Sequence, residues 1–191
     1  VGANERHPEG LFFPDTYYFS SGMSDLGILK RAYQAMQKRL EAAWAERDPL
    51  LPYHSPYEVL IMASIVEKET GQASDRPMIA GVFINRLRLN MRLQTDPTVI
   101  YGMGDNFDGN LRRADLQADT PYNTYTRFGL PPSPIAMPGW GALQAAVHPA
   151  ATRALYFVGK GNGTHKFSNS LEEHNLAVAR YQLGRKSGAQ N

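Results

Sequence analysis

Residues 55–71 constrain this chain more than any other stretch. Ser55-Pro56-Tyr57-Glu58 is a capping box with proline at the first helical position. Val59-Leu60-Ile61-Met62-Ala63-Ser64-Ile65-Val66 follows and is apolar on nearly every side. A helix without a polar face has to be enclosed, so the pattern predicts a central, buried helix with other elements packed around it. The run closes as Glu67-Lys68-Glu69-Thr70-Gly71, and Gly71 is expected to supply the stop.

Carboxylates at that end are unusual, because the helix dipole favours anions at the N-terminus and disfavours them at the C-terminus. Burial further penalises the anion. A carboxyl group so placed tends to keep its proton, as a general acid must. Glu67 and Glu69 stand two residues apart, roughly 200° around the helix axis, and cannot share a face. Glu69 follows Met62 and Ile65 on an apolar stripe and should leave the core at its rim, whereas Glu67 follows Ala63 and Ser64. Two readings stand at this point. Both glutamates are solvated charges beside Lys68, or one is an acid, with Glu69 the better placed and Glu67 secondary.

The 191 residues suffice for one sizeable domain. Lys and Arg number 20 against 18 Asp and Glu, a balance that gives no reason to expect nucleic acid as a partner. Arg86, Arg88, Arg92, Arg112 and Arg113 are read as solvated. Without cysteine, disulfides, thiolate metal sites and Cys nucleophiles are excluded. No apolar run reaches the ~18 residues of a membrane span. The chain starts at Val1-Gly2-Ala3-Asn4 without Met, so it is read as a processed or truncated piece whose anchor or targeting segment would lie upstream.

Residues 1–23 are rich in Gly, Pro and aromatics and predict extended pieces with a turn at Pro14-Asp15. Residues 25–46 predict an amphipathic helix with Leu29, Tyr33, Met36, Leu40 and Trp44 in one core-facing stripe. A third helix is expected over 75–89, with Ile79, Val82, Phe83 and Leu87 inward. Residues 90–138 hold only short helical pieces, and an ordered stretch this long usually carries function. A short helix at 139–147 stops before Pro149. Residues 155–158 and 164–167 flank a Gly-rich turn as a β-hairpin. Ser170-Leu171-Glu172-Glu173 caps a last helix to about residue 183, and a frayed tail covers 186–191.

In the long loop, Gln94, Thr95 and Asp96 are the residue types that hydrogen-bond sugar hydroxyls, and Tyr101 follows on a short turn. Asp96 before Pro97 is read first as a cap of that turn, ahead of the sugar-binding role. Tyr122-Asn123-Thr124-Tyr125 suits a carbohydrate site, with rings on sugar faces and an amide on hydroxyls, or a Tyr-rich turn packed on the core. His165, near Phe167 in the hairpin, is placed to face a cleft. No His pair has helical metal-site spacing, Asp105-Asn106-Phe107-Asp108-Gly109-Asn110 lacks calcium-loop spacing, and no dinucleotide or phosphate fingerprint occurs. Neither a metal nor a cofactor is expected.

Several segments together resemble one family, the YceG-like endolytic murein transglycosylases. They are Glu9-Gly10-Leu11-Phe12-Phe13-Pro14-Asp15-Thr16-Tyr17, residues 63–70, Val82-Phe83-Ile84-Asn85-Arg86-Leu87 and Met91-Arg92-Leu93-Gln94-Thr95-Asp96-Pro97-Thr98-Val99-Ile100-Tyr101-Gly102. Tyr122-Asn123-Thr124-Tyr125, Gly129-Leu130-Pro131-Pro132, Ala146-Val147-His148-Pro149, Leu155-Tyr156-Phe157-Val158 and His165-Lys166-Phe167 complete the set, in order along nearly the whole chain.

The resemblance implies an α+β fold, a mainly helical lysozyme-like catalytic core with a small hairpin and extended N-terminal pieces. Its domain reading is a lead-in over 1–23 and a catalytic domain over 24–185. It implies a lytic cut of the bond between N-acetylmuramic acid and N-acetylglucosamine within peptidoglycan, leaving 1,6-anhydro ends. One Glu serves as acid and then base, and Glu69-Thr70 matches the helix-terminal Glu-Ser pair of other lytic transglycosylases, with Thr for Ser. The nucleophile is the substrate's own C6 hydroxyl, so no second catalytic carboxylate is required, unlike the usual glycosidase pair.

The implied partners are peptidoglycan glycan strands and peptidoglycan synthases of the penicillin-binding class. The family's N-terminal membrane helix and much of its LysM-like domain have no counterpart here. The family therefore implies a single-pass protein on the periplasmic side of the bacterial inner membrane, anchored only at full length. Two rivals remain: a muramidase-type hydrolase in which Asp96 positions water or stabilises an oxocarbenium ion, and a peptidoglycan-binding module without chemistry.

Overall fold

The structure, a computed structural model, describes residues 7–184. Its α-helices and strands are α1 (Asp25–Glu46), α2 (Pro56–Glu69), α3 (Arg76–Arg88), α4 (Asp96–Met103), α5 (Arg113–Gln117), α6 (Trp140–Val147), β1 (Tyr156–Gly159), β2 (His165–Ser168) and α7 (Leu171–Val178), with short 3-10 turns at Ala73–Asp75 and Gly104–Asn106. The fold is α+β, mostly helical, with one antiparallel two-stranded sheet that pairs Tyr156 with Ser168 and Gly159 with His165.

As its sequence demands, α2 lies at the centre. Every residue from Val59 to Val66 is buried, and α1, α3, α4 and α6 pack around it. Each large aliphatic side chain enclosed this way contributes about 1.5–3 kcal/mol. The Ser55 hydroxyl accepts from the Glu58 N–H, while the Glu58 carboxylate takes the N–H of His54 rather than that of the cap residue. Ser170 and Glu173 repeat this shifted box at α7, where Glu173 takes the Asn169 N–H. Inside α2, Ser64 Oγ donates to the Ile61 carbonyl and accepts from the Ile135 N–H at 3.0 Å. That bond ties the loop before α6 to the core.

Several expectations change. α2 does not end on a left-handed Gly71. Thr70 turns extended (φ −149°, ψ 134°) and its hydroxyl accepts from the Gln72 N–H, which breaks the helix at Glu69. Leu29 is 48% exposed, because the buried face of α1 runs through Ala32, Met36, Leu40 and Ala43 instead. The expected turn at Pro14-Asp15 is only a bend; the tighter turn lies earlier, where Leu11 N–H meets the Pro8 carbonyl. Leu11 and Phe13 are buried, and Phe13 N–H bonds the Ala32 carbonyl, so this extended segment packs on α1. Both strands sit one residue later than expected, and α7 continues as a π-helical turn over Ala179–Leu183. The frayed tail expected at 186–191 lies outside the described residues.

One glycine is required by packing. A Cβ at Gly81 would lie 2.7 Å from the Ala150 carbonyl oxygen. The close crossing it permits lets Pro77 accept from Ala150 N–H and lets Asn85 bond the carbonyls of Thr152 and Ala154. This fixes the approach of the hairpin to α3, and the hairpin walls the site.

Candidate active site

A cleft of about 350 Å³ lies where the end of α2 meets the start of α4, the hairpin and α7. Glu69, Arg86, Gln94, Asp96, Tyr125, Phe157, His165 and His174 line it. Two larger grooves, of about 510 and 530 Å³, hold Asp48 and Glu58, each engaged with a backbone N–H, of Leu50 and His54 respectively.

Glu69 reaches the cleft because it is the last residue of a helix that is buried up to Val66. Burial pushes its carboxyl group up from the ordinary 4.5 to about 7. A hydrogen bond from Thr95 Oγ1 opposes this rise, the Asp96 carboxylate adds to it, and the Arg86 guanidinium opposes it. The group is therefore half-protonated near neutrality, the condition for a proton donor.

Glu67 faces elsewhere. Its Oε2 accepts from the Gly139 N–H at 3.0 Å, at the start of α6, and its Oε1 pairs with Arg76 at 3.4 Å. It fastens α2 to α6 and α3 and does not line the cleft.

The loop 94–96 is held in an unusual conformation. Gln94 has φ 51°, a left-handed value for a residue with a side chain, and its N–H bonds the Thr124 carbonyl. Strain of this kind costs about 1–3 kcal/mol and persists only where the surroundings over-determine it. Here Thr124 Oγ1 accepts from Thr95 N–H and contacts Thr98 Oγ1 at 2.9 Å. Asp96 does not cap α4. Thr95 is the cap residue, and Asp96 instead accepts from the Tyr125 hydroxyl, which together with burial keeps that phenol protonated far above neutrality.

Of the residues singled out in the sequence, Glu69, Gln94, Asp96, Tyr125 and His165 line one cleft, and Thr95 touches it through Glu69. Tyr101, Tyr122, Asn123 and Thr124 do not line it. Tyr101 packs on Tyr122 and contacts His7 at 3.3 Å, and its hydroxyl is pushed up to about 12, chiefly by burial. The Tyr122 hydroxyl pairs with Ser133, and the wholly buried Asn123 donates to the carbonyls of Asp115, Leu116 and Ala118. These residues shape the loop from behind rather than facing the cavity.

Arg86 corrects the reading of a solvated basic face, being only 7% exposed. Nε donates to the Leu155 carbonyl, and Nη1 to the carbonyls of Arg92 and Leu93 and to Gln94 Oε1. One guanidinium thus binds α3, the hairpin entry and the 92–94 loop together. Asp75 was also missed. Its Oδ2 takes both the backbone N–H of His165, at 2.8 Å, and Nδ1 of the same residue, at 2.9 Å. His174 stacks on Tyr156 with centroids 5.2 Å apart, and burial lowers its pKa. For Arg86 the one signal was its place inside a segment of the family resemblance. For Asp75, which reads simply as a helix-start acid, the sequence held none.

No group of three or more His, Asp or Glu among the described residues could hold a metal ion, and no described helix is long and apolar enough to cross a membrane.

A protein of Bacillus subtilis named endolytic murein transglycosylase is 42% identical over 180 residues, covering 93% of this chain and 49% of that protein. One of Streptococcus pneumoniae with the same name is 32% identical over 187 residues, covering 91% of this chain and 32% of its own length. The chain therefore spans from about a third to about half the length of these relatives. A crystal structure of a putative yceG-like protein from Listeria monocytogenes superposes with a TM-score of 0.78 at 40% identity, covering 89% of this chain and 55% of that one. The sequence profile of the YceG-like family matches residues 2–180, and the chain belongs to that family.

Proposed function

We propose that this chain carries the cutting site of a peptidoglycan lytic transglycosylase. One observation carries the reading: Glu69 stands at the end of a buried helix and on the wall of a polar cleft, where burial pushes its carboxyl group up to about 7. The names of the relatives support the substrate class, a glycan strand of murein. A single raised acid at the end of a core helix, with a short hairpin beside it, also supports the lysozyme-like arrangement.

In the proposed reaction Glu69 protonates the oxygen joining N-acetylmuramic acid to N-acetylglucosamine. The muramic C6 oxygen attacks C1 as that bond breaks, leaving a 1,6-anhydro end. The C6 proton passes to the carboxylate that Glu69 has become, which restores the acid. Burial keeps the acid protonated before the cut and makes its carboxylate the readier base afterwards, while the Thr95 hydrogen bond eases the first proton transfer by stabilising the anion it leaves. The same reading puts the cleft on the periplasmic side of the bacterial inner membrane, where its substrate lies.

A hydrolytic reading is favoured by one observation, the second carboxylate Asp96 on the same cleft. Mass spectrometry of sacculi digested by the protein separates the two. Anhydro ends support lytic cleavage, and reducing ends without anhydro sugar would sink it. A binding module without chemistry predicts that Glu69→Gln changes nothing measurable. The lytic reading predicts a loss of activity by a factor of about 10² to 10⁴ or more, typical for removal of a general acid.

A further inference from the structure

Arg86 and Gln94 hold hydrogen-bond donors in the cleft that the proposed cycle leaves unused. Arg86 is a buried cation, and its Nε and Nη1 are spent on the carbonyls of Leu155, Arg92 and Leu93 and on Gln94 Oε1. These bonds fix the guanidinium plane, and the Tyr156 ring lies 5.1 Å from its centre. The remaining nitrogen, Nη2, makes no hydrogen bond among the described residues. It is not sealed off either, since Arg86 lines the cleft and Nη2 is not one of the enclosed polar atoms left unpaired. Its N–H groups are therefore open to a ligand.

The same guanidinium fixes the neighbouring amide. A guanidinium only donates, so the Gln94 atom that faces it at 3.3 Å is the carbonyl oxygen, and Nε2 keeps both of its hydrogens. Nε2 makes no hydrogen bond among the described residues, and Gln94 lines the same cleft as Glu69. A buried cation is ordinarily matched by a carboxylate, but Arg86 has no salt bridge among the described residues. The carboxylates on and beside the cleft are engaged elsewhere, Glu69 with Thr95, Asp96 with Tyr125 and Asp75 with His165.

Two donor groups with no free acceptor between them select a group that only accepts. A sugar hydroxyl both gives and takes, whereas a carbonyl oxygen takes two hydrogen bonds and gives none. We propose that Arg86 Nη2 and Gln94 Nε2 form a carbonyl-binding subsite that holds an amide carbonyl oxygen of the muramic residue whose C1 is attacked. This rests on the lytic reading of Glu69 given above. Two carbonyls of that residue carry the chemistry. One belongs to the acetamido group on C2, and the other to the lactyl group on O3, which glucosamine lacks. A grip on either, away from the breaking bond, acts equally on bound substrate and transition state, so it lowers KM and leaves kcat nearly alone.

The test compares strand cutting by the wild type, Gln94→Met and Gln94→Glu on purified murein glycan strands, with melting temperatures to show that each is folded. Gln94→Met removes the amide donors, and Gln94→Glu removes them while keeping an acceptor for Arg86. Both should raise KM about 10-fold or more, with kcat changed less than about threefold. A rise in Gln94→Met with a native KM in Gln94→Glu would mean that Gln94 only steadies Arg86. A rise in Gln94→Glu alone would mean charge repulsion, and either result, or an unchanged KM in both, overturns the subsite. Chitin oligosaccharides, which carry acetamido but no lactyl groups, separate the two sources as competing ligands. Inhibition that weakens in Gln94→Met as much as KM rises assigns the acetamido carbonyl. Equal inhibition of both proteins, or of neither, assigns the lactyl carbonyl. Reducing ends from the wild type would overturn the lytic reading of Glu69, while the KM comparison would still decide the subsite.

Discussion

Thr95 Oγ1 donates a hydrogen bond to Glu69 Oε1, joining the cap residue of α4 to the last residue of α2. Thr95 is 2% exposed, and among the described residues its hydroxyl bonds Glu69 alone. A bond to a charged acceptor is worth about 1.5–3 kcal/mol, and it favours the ionised form of Glu69. Thr95→Val keeps the shape and removes the donor. The alkaline fall in kcat/KM should move up by roughly one pH unit, read from the rate of anhydro-end formation between pH 5 and 9.

Asp96 acts with the opposite sign, since its charge raises Glu69. It is exposed and its field is screened by solvent, so Asp96→Asn should lower the alkaline fall by less than about half a pH unit. A collapse of activity to the level of Glu69→Gln would give Asp96 the role of a second catalytic carboxylate and favour the hydrolase.

The raised carboxyl group also sets a stability slope. With Glu69 at about 7 in the folded chain against an ordinary 4.5, the folded state binds the proton more tightly. Its contribution is fully present below about pH 4.5 and is lost as pH rises to about 7, up to about 3 kcal/mol in all. Glu69→Gln has no proton to lose. It should melt roughly 5–10 °C above the wild type at pH 8 and close to it at pH 4.5, by calorimetry at both values. Equal melting at pH 8 would mean that the acid is not raised.

What the sequence made legible is what short-range pattern controls. The capped, apolar run of α2 dictated a central helix, and its phase separated Glu69 from Glu67. The Tyr122-Asn123-Thr124-Tyr125 loop shows where pattern fails. The residue types suit a sugar, yet Asn123 spends its amide on three backbone carbonyls, and only Tyr125 reaches the cleft. Arg86 and the carbonyl of Leu155 are 69 residues apart, and Asp75 and His165 are 90 apart. Contacts at such range follow from the way α3 crosses the 150–154 segment at Gly81, and no local period encodes them.

Glu67 provides the contrast that isolates the role of its neighbour. Its carboxylate holds the Gly139 N–H at the start of α6 and pairs with Arg76, whose side chain is 20% exposed and whose Nε is buried without a hydrogen-bond partner among the described residues. Glu67→Ala would leave both groups without this acceptor, at a cost of about 1–3 kcal/mol. Glu67→Gln keeps an amide oxygen for Gly139 and should cost less. Denaturant midpoints should therefore fall in the order wild type, Glu67→Gln, Glu67→Ala. Activity per folded molecule should stay within about threefold, because Glu67 does not line the cleft. If Glu67→Gln instead removed activity from a fully folded protein while Glu69→Gln kept it, the acid would be Glu67.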